Sequence, residues 1–461
     1  MHPTLSAWLS ARLVDRAQGH RARVLEGYHR RVASDYLSAE VRAERQAEAL
    51  ATLLRHAGTR VPRFRQLMAD GPVPAPGNAR DWLERLPPMN RADIQSDPAS
   101  FISDRCSGTV DDHTGGSTGT PLTFKVDRPT QQARESSLMW GNHLAGWRPG
   151  QRIAMLWGSD RDTKAAFHDW RLNLRWWLDN MRWYNAFRMG DAEMAAFHKA
   201  MTRFKPHLLV AYAGSLDVYA RFVESIPHRE SLQASARSES RLAYPLGALV
   251  SSAEVLAPPV RERVERVFGK PLFDRYGNRE AGAIAAECDA HRGLHVNEHD
   301  FLVEIDSPRP LDVPGPLRIT YFANFAMPLI RYETGDLAVW SDGPCACGRS
   351  TRRLARIVGR QSDTIRTASG KRIHGEFFTH VLYGVAGIRE FQFVQETATV
   401  YRLRLVGTAE RRQEDVWRSK IMAMLDEGDQ LHLDYVEAIP ALSSGKRRFT
   451  LSLVDALRNT G

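Results

Sequence analysis

The stretch that decides the reading is His113-Thr114-Gly115-Gly116-Ser117-Thr118-Gly119-Thr120-Pro121-Leu122. Three glycines stand among the hydroxyls of Thr114, Ser117, Thr118 and Thr120. Without a Cβ, glycine lets backbone N–H groups approach a ligand closely, and the hydroxyls add donors, so the loop suits phosphate oxygens. A phosphate loop of the kind that ends Gly-Lys-Ser/Thr ahead of a helix is excluded, because Gly119 is followed by Thr120 and Pro121. Thr123–Val126 alternates like a short strand. On the other side, Phe101–Ile102 reads as the end of another.

Beyond the loop, apolar runs of buried-strand character alternate with helical patterns. The runs are Arg152–Trp157, Leu208–Tyr212, Gly247–Ser251 and Leu272–Tyr276. The helical patterns are Thr130–Ala145, Asp191–Arg203, Ser215–Ser225 and Pro259–Phe268. Such alternation predicts an α/β architecture with parallel-type sheets. From His295 to Trp340 strand follows strand (Phe301–Ile305, Leu317–Phe322, Leu337–Trp340), which predicts a β-rich subdomain. Before the loop, Ala7–Gly58 reads as mostly helical, followed by a proline-punctuated region. A boundary falls near Gly359. Beyond it, the strands Phe391–Gln395, Val400–Val406 and Leu431–Val436 and the helix Arg412–Leu425 predict a small α+β domain. The expected organisation is a large N-terminal domain, residues 1–358, with a helical extension, an α/β core and the β-rich subdomain. A small lid domain, residues 359–461, follows it.

A chain of 461 residues exceeds one ordinary core, and 43% apolar with 25% charged residues describes a folded protein rather than a disordered one. No apolar run approaches the ~18 residues that span a bilayer. Met1–His20 mixes arginine and aspartate into its apolar residues and does not read as a secretory leader, so a cytoplasmic location is expected. Four cysteines are too few for a disulfide framework. The net charge of +9 is compatible with nucleic acid, an anionic membrane surface or small polyanionic substrates; it is spread through arginines rather than gathered into one basic tail, which argues against a dedicated nucleic-acid arm. The aromatic and basic segment Trp170–Arg188 reads as a packed helix with snorkelling arginines rather than a platform for bases.

Five further stretches belong with the loop. Ser251-Ser252-Ala253-Glu254 ends a strand, where α/β sheets present ligand contacts. Tyr276-Gly277-Asn278-Arg279-Glu280 offers an aromatic face, a turn and a carboxylate suited to Mg²⁺ against phosphate oxygens. Arg331-Tyr332-Glu333-Thr334-Gly335-Asp336 places a carboxylate after a tight turn, apt for two ribose hydroxyls. Gly359-Arg360-Gln361-Ser362-Asp363 sits at the boundary, and Ser443-Ser444-Gly445-Lys446 near the C-terminus.

In this order and spacing the motifs resemble those of the acyl-adenylate-forming superfamily, in its phenylacetate–CoA ligase-like and CapK-like branch. The likeness runs from the N-terminal helices to Lys446. It implies a nucleotide site made by Thr114, Gly115, Gly116, Ser117, Thr118, Gly119 and Thr120, by Ser252, Ala253 and Glu254, and by Tyr276, Gly277 and Asn278. It also implies adenine stacking on Tyr276, a Mg²⁺ contact at Glu280, ribose binding by Asp336, a hinge motif at Gly359, Arg360 and Asp363, and a mobile catalytic Lys446. Leu122 stands where many relatives carry lysine, and Ser362 where the pivot is often aspartate or lysine. The implied activity is ATP-dependent formation of an acyl-AMP, followed by transfer to a thiol, foremost coenzyme A. A carrier-protein thiol, an amine or a polysaccharide are alternative acceptors, an inactive nucleotide-binding scaffold is the non-enzymatic alternative, and a homodimer is expected only by analogy.

The cysteines carry a separate expectation. Cys288-x-x-His291 and Cys345-x-Cys347 supply a Cys₃His set of the kind that holds a structural Zn²⁺, with His295 and His299 as nearby alternatives to His291. Similar pairs occur in CapK-like relatives. Cys106 reads as an unremarkable thiol.

Overall fold

The computed structural model describes residues 3–105, 108–114, 122–157, 173, 176–186, 189–226, 244, 246–306, 313–360, 365–373, 375–382, 385–408, 411–439 and 449–454. Two long helices, Pro3–Ser34 and Ala39–Arg60, open the chain. The break between them is set by Ser38, whose hydroxyl accepts the Val41 N–H as the N-cap of the second. Short helices and a 3₁₀ turn, Pro98–Phe101, follow. Phe101 is therefore not the end of a strand. The strand ahead of the glycine-rich loop is instead β1 (Val110–His113), which pairs antiparallel with β2 (Thr123–Val126). Its polar, largely exposed sequence gave no apolar alternation to read.

Among the described residues, eleven strands form one sheet. Five are parallel and lie in the order β4 (Met181–Tyr184), β3 (Ile153–Leu156), β5 (Leu208–Ala211), β6 (Ala248–Ser252), β7 (Leu272–Asn278). The rest run antiparallel. They are β8 (Gly282–Glu287), β9 (Leu294–Val296), β13 (Arg353–Arg360), β12 (Tyr332–Ser341), β11 (Gly315–Tyr321) and β10 (Phe301–Ile305). The parallel strands read as unbroken apolar runs because both faces are covered. Leu209, Ala211 and Leu249 pack with the helices Asp191–Phe204, Ala213–Ser225 and Pro258–Phe268, while Leu208, Val210 and Val250 join Trp147 on the other face. Within the segment Trp170–Arg188 the described residues 176–178 are helical, but Met181–Tyr184 departs from the helical expectation and is the edge strand of this sheet, with Trp183 stacked on Trp176 at 5.2 Å between ring centroids.

The antiparallel half shares its core with the helix Ala39–Arg60 and the short helices after it. A buried ion pair ties the first helix to this half: Arg31 donates to both carboxylate oxygens of Asp300 at 2.6 and 2.7 Å, each side chain being 4% exposed. Asn297 donates to the same carboxylate at 2.7 Å.

Residues 365–452 hold the hairpin β14 (Ile365–Arg366) with β15 (Arg372–Ile373). They also hold a four-stranded sheet ordered β18 (Gln430–Tyr435), β17 (Val400–Gly407), β16 (Ile388–Gln395), β19 (Thr450–Ser452). The helices Gly375–Leu382 and Arg411–Met422 cover a core of Phe378, Phe393, Tyr401, Trp417 and Ile421, in which Phe378 and Phe393 stack at 3.8 Å. Among the described residues, no helix is long and apolar enough to cross a membrane.

Candidate functional site

The sheet gathers the motifs at the carboxyl ends of β5, β6 and β7, where open α/β sheets bind ligands. At the end of β6, Ala253 takes a left-handed backbone (φ 67°), which turns the chain off the sheet. Glu254 is thereby brought to the first turn of the helix Ala213–Ser225, where its carboxylate accepts the Gly214 N–H at 2.8 Å. A carboxylate at a helix N-terminus is favoured by the exposed N–H groups there. Beside it, the buried Ser252 hydroxyl donates to the Arg275 carbonyl at 3.0 Å and ties β6 to β7.

At the end of β7 a bulge falls between Tyr276 and Gly277. Gly277 is required there, since a Cβ would lie 2.2 Å from the Gly282 carbonyl oxygen. Asn278 closes the turn by accepting the Ala281 N–H at 2.9 Å, which sets Glu280. Glu280 is buried; Tyr332 donates to it at 3.4 Å. Burial pushes its carboxyl above the ordinary range, and the charges of Arg360, Arg91 and Arg134 act the other way.

The Tyr276 hydroxyl donates to Asp336 Oδ2 at 2.7 Å. Asp336 sits on β12 directly across from Arg360 on β13, whose Nε lies 3.5 Å from Asp336 Oδ1. Burial, and then the Asp336 charge, hold the Tyr276 phenol well above its usual value, so it stays a donor. Tyr276, Asp336 and Arg360 thus form one polar set from three strands, with Glu280 on the turn after the first. Of the loop, Thr114 is described: its N–H donates to the Leu122 carbonyl and its hydroxyl accepts the Leu122 N–H, both at 2.9 Å, which closes the base. Gly115, Gly116, Ser117, Thr118, Gly119, Thr120 and Lys446 lie outside the described residues, as do Cys106, Ser362 and Asp363.

A second cluster lies at the other end of β8, β9 and the β12–β13 hairpin. Ligand atoms of Cys288, His295, Cys345 and Cys347 all fall within 4.8 Å of one another. The Cys288 and Cys345 sulfurs are 3.7 Å apart, and Cys347 Sγ is 3.3 Å from His295 Nε2. Two thiolates at ~2.3 Å from one tetrahedral zinc stand ~3.8 Å apart, so the donor set fits that ion. Thr351 Oγ1 lies 2.9 Å from the other ring nitrogen of His295 and orients the ring. His291, the expected fourth ligand, is not in the group. The turn after Cys288 carries it to Glu287, 3.3 Å away, and against the Phe273 ring. His295 takes its place because Leu294 and Val296 face the large core, leaving His295 on the opposite side of β9.

Residues 365–452 match the family model of the CapK C-terminal domain. Protein CapK of Staphylococcus aureus is 20% identical over 382 residues, 80% of each chain. A phenylacetate-coenzyme A ligase of Thermus thermophilus is 33% identical over 124 residues, 25% of this chain and 28% of that protein. Among solved structures, 2-hydroxyisobutyryl-CoA ligase in its postadenylation state with 2-HIB-AMP superposes with a TM-score of 0.68 at 18% identity, covering 92% of both chains. The ATP-bound MatB from Rhodopseudomonas palustris gives 0.51 at 13% identity, over 76% of this chain and 67% of that one. By motif, fold and relatives, the chain is similar to the acyl-adenylate-forming ligases, with CapK and the phenylacetate–CoA ligases among its relatives and a CapK C-terminal domain over residues 365–452.

Proposed function

We propose that the chain is an adenylate-forming acid–thiol ligase: it joins a carboxylic acid to the α-phosphorus of ATP, releases pyrophosphate, and passes the acyl group to a thiol, coenzyme A foremost. The observation that carries this reading is the set of Tyr276, hydrogen-bonded to Asp336, and Arg360, ion-paired with it, with Glu280 on the turn after β7. Supporting it are relatives named as coenzyme A ligases and a ligase of the same fold held with an acyl-AMP.

Both reactants are anionic, so the site must offset their repulsion and the charge that grows on the departing pyrophosphate. In this reading Asp336 accepts the ribose hydroxyls and the Tyr276 ring stacks on adenine while its hydroxyl holds Asp336. Ser252, Ala253 and Glu254 border the base, and the donors of Thr114–Thr120 take the β and γ phosphates. Glu280 would hold Mg²⁺, which supplies positive charge to phosphate oxygens when bound. Lys446 brings a second cation on a flexible stem from the domain beyond residue 359, and Arg360 at the boundary neutralises Asp336. Cys288, His295, Cys345 and Cys347 would hold a Zn²⁺ that cross-links the β8–β9 turn to the β12–β13 hairpin.

Pyrophosphate release across an acid panel, with and without coenzyme A, a carrier-protein thiol or an amine, tests the reading and sorts the acceptors. Lys446→Ala is expected to abolish acyl-adenylate formation and to spare thioester formation from a supplied acyl-adenylate. A wild-type protein that binds ATP yet releases no pyrophosphate with any acid is the scaffold, not the ligase.

A further inference from the structure

We propose that Asp112 is a positioning residue that locks the glycine-rich hairpin to the turn bearing Glu280; the proposal rests on the ligase reading above. The hairpin β1–β2 is a separate two-stranded unit. β2 is anchored by Phe124 and Val126 in the large core, whereas β1 is largely exposed. The flanking polar side chains of β1 bond within the hairpin, Asp111 to Lys125 and His113 to Thr123. Asp112 reaches out of it. Its Oδ2 accepts both terminal nitrogens of Arg134 at 3.1 Å, and its Oδ1 accepts Arg279 Nε at 3.0 Å.

Those arginines come from places that matter to the site. Arg279 is the residue immediately before Glu280. Arg134 lies on the helix Arg128–Leu144, which packs so closely on the start of β8 that a Cβ at Gly282 would come within 3.2 Å of the Arg134 Cα. Its guanidinium also covers the Phe124 ring of β2 at 5.9 Å. One carboxylate thus joins three elements that are distant in sequence, two residues before Thr114 closes the loop base. Its charge is offset by two guanidinium groups, so it does not oppose a triphosphate arriving next to it. Adenylation needs the loop donors and the Glu280 carboxylate on the same phosphates at once. Transfer of a finished acyl-adenylate to a thiol does not.

The experiment compares Asp112→Asn, Asp112→Glu, Arg279→Ala and the double variant Asp112→Asn/Arg279→Ala with the wild-type protein, each half-reaction measured separately. Because hydrogen bonds to charged groups are the ones lost, Asp112→Asn and Arg279→Ala are each expected to slow acid-dependent ATP–pyrophosphate exchange about tenfold. Thioester formation from a supplied acyl-adenylate stays at the wild-type rate, Asp112→Glu restores part of the exchange, and the double variant is no slower than the worse single one. A fall in both half-reactions together means a merely structural role and overturns the proposal, as does an unchanged exchange rate. Amide hydrogen exchange separates this from failure of the ligase reading. Even in a chain that turns over no acid, MgATP is expected to protect residues 110–114 and 276–282 together in the wild-type protein, and only one of the two segments in Asp112→Asn. Protection of both in the variant also overturns the lock.

Discussion

Replacing Tyr276 with phenylalanine removes one hydroxyl and leaves the ring. The bond lost is the 2.7 Å contact to Asp336, whose side chain is 14% exposed. A hydrogen bond to a charged group contributes about 1.5–3 kcal/mol. Arg360, 3.5 Å from the other carboxylate oxygen, and entering water recover part of that. A net cost of about 1–2 kcal/mol remains, which is about 5- to 30-fold in an equilibrium constant. The ribose contact is the same in the bound ground state and in the transition state, so the loss belongs in the KM for ATP and leaves kcat near its starting value. The assay is acid-dependent pyrophosphate release as ATP is titrated, with Tyr276→Ala alongside. The alanine variant loses the stacking face as well and is expected to bind ATP more weakly than the phenylalanine variant. An unchanged KM in Tyr276→Phe, or a fall confined to kcat, would refute the view that this hydroxyl holds the ribose carboxylate in place.

Purified protein is expected to carry one zinc per chain. Cys345→Ser and His295→Ala should lose it and melt at lower temperature while His291→Ala keeps it, as metal analysis and thermal unfolding will show. Gly277→Ala forces a Cβ onto a carbonyl oxygen 2.2 Å away and is expected to cost about 3 kcal/mol of stability, the upper end of overpacking penalties, seen as a lowered urea midpoint. Asp274 is held up to about 7 by burial and by the charge of Glu287. Its unfolded carboxyl ionises near the usual 3.8, so the folded state binds the extra proton between those values and wild-type stability falls as pH rises through that window. Asp274→Asn cannot ionise, so its advantage in melting temperature should widen from pH 4 to 7 and level off above; a difference that stays flat with pH rules out that cause.

Much of this was legible in the residues because the signals were local. The strands at Leu208–Ala211 and Ala248–Ser252 read as apolar runs since both faces are covered, and the tight turn at Gly277 is a steric need that only glycine meets. What escaped was non-local or lacked apolar contrast. β1 is Val-Asp-Asp-His, a strand held by its partner rather than by a buried face. The spacing Cys288-x-x-His291 points to a ligand pair, yet the alternation of β9, which buries Leu294 and Val296, hands the position to His295. Tyr332 donating to Glu280 depends on β12 lying where it does, and no spacing within the chain announces it. The contacts of Asp112 span 22 and 167 residues, beyond the reach of any window.

The salt bridge between Arg31 and Asp300 bears on how the polypeptide can be shortened. A version lacking residues 1–34 would lose both the Arg31 guanidinium and the cover that its helix gives, leaving the Asp300 carboxylate the Asn297 amide as its remaining side-chain partner among the described residues. Where the partner charge stays covered, as in Arg31→Ala, stripping one member from such a buried pair costs about 3–5 kcal/mol, a large part of what keeps an ordinary domain folded. The first helix is therefore built into the same interior as the sheet, and fragments meant for biochemistry should keep it.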